Sequence, residues 1–150
     1  LEARGAKPAD VVVFPYARYG VKLYGNAIIA SPKLLKENPE AVKAFLKAFA
    51  KGAKEVLAQP AVGIAAVKAR DGIINVDLET RRLKMAIEQV VASPDARAEG
   101  FGQVNAGRLA LMASQVSDAY ATKTRVNPGA VWNGSFLPTA AELNVLPPAK

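Results

Sequence analysis

A chain of 150 residues, 51% apolar and 22% charged, is long enough for one domain with a core and too ordinary in composition to be disordered throughout. It has no cysteine and no histidine, which excludes a disulfide framework, a thiolate nucleophile, an imidazole base and the common zinc clusters. The net charge of +7 is spread at intervals along the chain, so a solvated basic surface is expected in place of a nucleic-acid or anionic-membrane patch.

The first predicted element is a strand at Val11–Phe14, in a β-branched run that ends at Pro15. Gly20 breaks the chain. From Val21 to Ile29 a period-two alternation sets Val21, Leu23, Gly25, Ala27 and Ile29 against Lys22, Tyr24, Asn26 and Ile28, the pattern of a second strand. The period changes to 3.6 at Ser31, a cap followed by Pro32. A break at Asn38-Pro39 then separates one turn from a long helix, Pro39–Ala58. There Val42, Phe45, Leu46, Phe49, Ala53, Val56 and Leu57 form a core face, and the lysines form a solvated one. Pro60 opens a helix that runs to about Arg70. Asp77 is expected to cap a third, with Leu78, Leu83, Ile87, Val90 and Val91 inward. "SPDARAEGFGQV" reads as a loop. Asn105 should cap a last helix with Leu109, Met112, Val116, Ala119 and Tyr120 inward, before a breaker-rich tail.

Catalytic signals are weak. "GFGQVNAG" does not follow a strand and lacks phosphate-loop spacing, and Ser114, Ser117 and Asp118 have no base to activate a serine. Glu79 and Glu88 are too far apart to act as an i, i+4 carboxylate pair. Neither catalytic nor metal-ligating residues are assigned, and no cofactor is implied. The stretch "FPYARYGVKLYGNAIIAS" is different: Tyr16, Tyr19 and Tyr24 offer flat faces with hydroxyl tips, and Asn26 offers both a donor and an acceptor. Such groups stack on and hydrogen-bond a small ring or oxoanion; alternatively the tyrosines only cover a sheet edge.

"YGVKLYGNAIIASPKLLKENPEAVKAFLKAFAKGAKEVLAQP", followed by several helices and "NGSFLP", resembles the C-terminal part of the NMT1/THI5-like substrate-binding proteins of ABC importers, over about Tyr16 to Pro138. Members bind thiamine-precursor pyrimidines, riboflavin, sulfonates, taurine or nitrate. The resemblance implies an α/β fold of the class II periplasmic-binding-protein type, two lobes around a cleft, present here as a C-terminal portion with few strands and about five helices. It assigns residues 1–20 to the end of the second lobe and the approach to the hinge, and residues 21–150 to the crossing strand and the helices of the first lobe.

The resemblance also implies a site: Tyr24, Gly25 and Asn26 line the cleft, with Tyr19 nearby. The "YGN" spelling is similar to members that bind pyrimidine or flavin-type compounds. Arg18 stands where members often carry an acid, a departure that favours an anionic group. The implied function is that of a periplasmic or lipid-anchored solute-binding component, with a small-molecule solute and permease subunits as partners. Nucleic acid binding and membrane insertion within this segment are not expected. The chain is expected not to be an enzyme, because the thiamine-pyrimidine-forming relatives of this fold use a histidine that it lacks; that enzyme and a helical interaction module are the alternatives. The opening at Leu1 leads to the expectation of a longer gene, with an export signal and a first lobe upstream.

Overall fold

The computed structural model describes residues 4–147. Eight α-helices occur among them: α1 (Pro32–Glu37), α2 (Pro39–Ala58), α3 (Pro60–Arg70), α4 (Val76–Ala86), α5 (Pro94–Glu99), α6 (Ala106–Ala119), α7 (Pro128–Val131) and α8 (Ala140–Leu143). Short 3-10 turns cover Pro8–Asp10, Tyr16–Tyr19 and Gly134–Phe136, and a π turn, Ile87–Val91, extends α4. The described residues contain no strand, so the expected α/β, periplasmic-binding-protein-like fold is corrected to an all-helical one.

Local sequence explains most helix boundaries. Proline opens α1, α2, α3 and α5, where its missing N–H costs nothing. The Ser31 hydroxyl accepts from the Leu34 N–H at 3.2 Å and Asn38 Oδ1 from the Ala41 N–H at 3.3 Å. Asn75, two residues before the expected Asp77, caps α4 by accepting from the Leu78 N–H at 3.0 Å. Ser93 caps α5, a helix in the stretch read as a loop, by accepting from the Ala96 N–H at 3.2 Å.

Contacts divide the chain into two units. The larger comprises Ile28–Asn105 and the chain from Trp132 onward. Its core cluster is Ala50, Leu143 and Val145, each 3% exposed, with Leu57, Phe101 and Leu137 packed against it. The Phe101 N–H donates to the Leu143 carbonyl at 3.0 Å, joining the α5–α6 connection to α8. A Cβ on Gly63 would sit 3.0 Å from a Val56 methyl, so the glycine lets α3 approach α2 closely. Phe45 and Phe49, expected in the core, are 56% and 47% exposed; they stack on each other, and Phe49 stacks on Phe101, with centroids 6.3 and 6.2 Å apart. Ala50, one residue on, occupies the buried position.

The smaller unit comprises the chain up to Ala27 together with Ala106–Val131. Leu109, Ala113 and Ser117 form the buried line of α6, an i, i+4, i+8 row. Met112 and Val116 are half-buried, whereas Ala119 and Tyr120 are exposed, a correction to the expected inward set. The Ser117 hydroxyl accepts from the Val126 N–H at 3.0 Å and so folds the chain after α6 back onto the helix.

The strand expected at Val11–Phe14 is absent, and Val12, Val13 and Phe14 are exposed. The Val21–Ile29 strand is absent too. Alternation fixes which side chains share a face, but a strand also needs a neighbour to take its backbone groups. Between Gly20 and Tyr24 side chains of α6 take several of them instead.

Candidate functional site

The site is built on the chain that leaves the Tyr16–Tyr19 turn. Gly20 ends that turn at φ +86°, a left-handed conformation that favours glycine, and the Val21 N–H donates back to the Tyr16 carbonyl at 3.2 Å. The next four residues run along one face of α6. Gln115 Nε2 donates to the Gly20 carbonyl at 3.1 Å. Arg108 donates from Nε to the Lys22 carbonyl at 3.0 Å and from Nη2 to the Leu23 carbonyl at 2.9 Å. The Tyr24 N–H donates to Met112 Sδ at 3.3 Å, and the Arg108 guanidinium lies 4.2 Å from the centre of the Tyr24 ring.

Of the four expected site residues, Tyr24 is half-buried and fixed in this way. Gly25 and Asn26 are exposed, and a Cβ on Gly25 would meet nothing within 4 Å. Tyr19 is 67% exposed, and its ring lies 6.4 Å from that of Phe14. The residues that hold Tyr24 were not among those singled out for a site. Their signal is the spacing of Arg108, Met112 and Gln115, which puts a cation, a thioether and an amide on one helical stripe.

In the larger unit a shallow groove of about 360 Å³ is lined by Lys43, Lys47, Phe136, Leu137, Thr139 and Glu142, among others. Glu142 closes a capping box: its Oε2 accepts from the Thr139 N–H and hydroxyl, both at 3.0 Å, while Oε1 pairs with Lys47 Nζ at 2.6 Å. The Lys47 hydrogen bond first, and the Thr139 donors next, lower the Glu142 carboxyl to a pKa of about 2. The same partner raises Lys47 above its ordinary value. The groove's charges are thus paired with each other, and none of the expected site residues lines it. Among the described residues no cluster of acids is placed to hold a metal ion, and no helix is long and apolar enough to cross a membrane.

Comparison with known proteins bears on the same stretch. A family model described as NMT1/THI5 like matches residues 1–62, which include Tyr19, Tyr24, Gly25, Asn26 and the whole of α2. The chain therefore carries an NMT1/THI5-like segment, and the resemblance drawn from Tyr16 to Pro138 is matched as far as residue 62. No curated protein and no solved structure matches the chain.

Proposed function

We propose that the chain is part of the solute-binding component of an ABC importer, acting outside the cytoplasm with permease subunits as partners and doing no chemistry on its solute. The observation that carries the reading is the coincidence of the family match with the tyrosine-bearing segment of residues 14–26. Substrate-binding proteins of this kind are typically extracytoplasmic. Within the smaller unit the consecutive exposed residues Val12, Val13 and Phe14 support a role within a larger binding unit, since exposed apolar surface of this sort marks places that other groups cover.

The proposed solute is small and polar or aromatic, of the thiamine-precursor pyrimidine, flavin, sulfonate or nitrate type. Tyr24 supplies a ring to stack on and a hydroxyl to hydrogen-bond, Asn26 supplies a directional donor and acceptor, and Gly25 and Tyr19 flank them. Matching donors to acceptors lets an amide reject solutes of the wrong pattern far more strongly than an apolar wall does. Calorimetric titration of the protein with thiamine-precursor pyrimidine, riboflavin, taurine, an alkanesulfonate and nitrate tests this. One member should bind, and Tyr24→Ala and Asn26→Ala should each weaken it about tenfold, or ~1.4 kcal/mol. Equal affinity in both variants would make these residues structural.

A further inference from the structure

We infer that Arg108 is a positioning residue for Tyr24, and that Arg108, Met112 and Gln115 together form a side-chain ladder that replaces a β-partner for residues Gly20 to Tyr24. The three lie at i, i+4 and i+7 on α6, so they share a stripe. Arg108 meets Lys22, Leu23 and Tyr24, Met112 meets Tyr24, and Gln115 meets Gly20, so the three side chains between them hold both ends of the segment.

Arginine suits the upper rung for a geometric reason. Its planar fork carries several fixed N–H donors and still presents a flat face, so one side chain can bridge two successive carbonyls and lie against a ring. Lysine, a single ammonium on a flexible stem, keeps the charge near the ring but not the fork. At the lower rung the Gln115 amide donates to Gly20, while its Oε1 is buried without a partner among the described residues. Arg108, with two carbonyl bonds and the ring contact, is the main hold on Tyr24 and its neighbours. The described ladder contacts reach from Gly20 to Tyr24 and none is made to Asn26, so it fixes the ring of the proposed site and not its amide.

The relevance to a solute rests on the proposed binding reading, so the test separates the two. Arg108→Gln and Arg108→Lys are made in the full chain and studied first without solute, by amide hydrogen exchange and by the NMR shifts of the Tyr24 ring. In Arg108→Gln the Tyr24 amide should exchange at least tenfold faster and the ring protons should shift, while the Leu143 amide in the other unit is unchanged. Arg108→Lys should recover part of the ring shift but not the exchange protection. Unchanged Tyr24 exchange and ring shifts in Arg108→Gln would overturn the inference, and so would acceleration spread evenly over both units, which marks a general stability residue. Titration of parent and variants with riboflavin and with thiamine-precursor pyrimidine follows. If neither binds the parent, the choice of an aromatic solute fails while the exchange result still decides the ladder. If one binds, Arg108→Gln should lower its affinity about tenfold, and an unchanged affinity would show that the ladder does not position the site.

Discussion

Residues 11–29 and residues 139–145 reverse the order that their compositions suggest. The first run is rich in valine, isoleucine and aromatics, yet Ile29 is 91% exposed and Val12, Val13 and Phe14 face solvent. The second lies in a stretch full of proline, glycine and asparagine, yet Leu143 and Val145 are among the most buried side chains described. An apolar side chain is buried only where other elements converge on it. A four-residue helix with a complete capping box holds Leu143 against Ala50, whereas α6 side chains hold the apolar run at Gly20 to Tyr24 and several of its large side chains stay exposed. Hydrophobicity sets the reward for burial, and topology sets where it is collected.

The sharpest way to break this comparison is to truncate one residue from each region. Leu143→Ala should destabilise the protein by ~2–5 kcal/mol, the range for a buried leucine, whereas Ile29→Ser should stay within about 0.5 kcal/mol. Urea titrations of both variants check this. Equal losses would show that residues 11–29 carry as much of the fold as the tail does.

Phe49 lies between these extremes, half-exposed but stacked on Phe45 and Phe101. Phe49→Ala should cost about 2 kcal/mol, below the ~3–5 kcal/mol of a fully buried phenylalanine, because half of its area never leaves water and a stacked pair adds only ~0.5–1.5 kcal/mol. A loss above about 4 kcal/mol would mean that the ring is buried in solution.

The smallest expected effect is that of pH on the tail's anchor. The folded-state pKa of Glu142 lies below the unfolded one, so its contribution is present above an ordinary carboxylate value and is lost as pH falls towards about 2. Lys47 is raised, so its contribution is present below the ordinary lysine value and is lost as pH rises past it. Between these limits the pair should leave stability flat. In Glu142→Gln the part of the acid decline due to this carboxylate should vanish, read as thermal midpoint against pH from 2 to 7. An unaltered acid limb would show that the pair is too well screened to matter.

Much of the helical layout was legible in the sequence. Proline at first helical positions, the Ser31 cap and the Asn38-Pro39 break act within a few residues, and α1, α2 and α3 begin as they direct. The α4 cap at Asn75, two residues before Asp77, and the short α5 behind Ser93 rest on local signals of the same kind. The candidate site was legible only in part. Tyr24 could be picked out as a tyrosine two residues from an asparagine, but its holders lie 84 and 88 positions further along the chain, where an arginine and a methionine look like ordinary helix surface and core.

The lack of cysteine and histidine, the positions of most helices and the NMT1/THI5-like character of residues 1–62 could all be read from the chain, because composition, caps and motif order are local properties. Three features depend on tertiary structure: the alternating run from Val21 forms no strand, the tail contributes Leu143 and Val145 to the larger unit's core, and Tyr24 is fixed from α6. Each depends on which distant backbone and side-chain groups satisfy one another, and a period of two or of 3.6 records only which residues share a face, not what that face will meet.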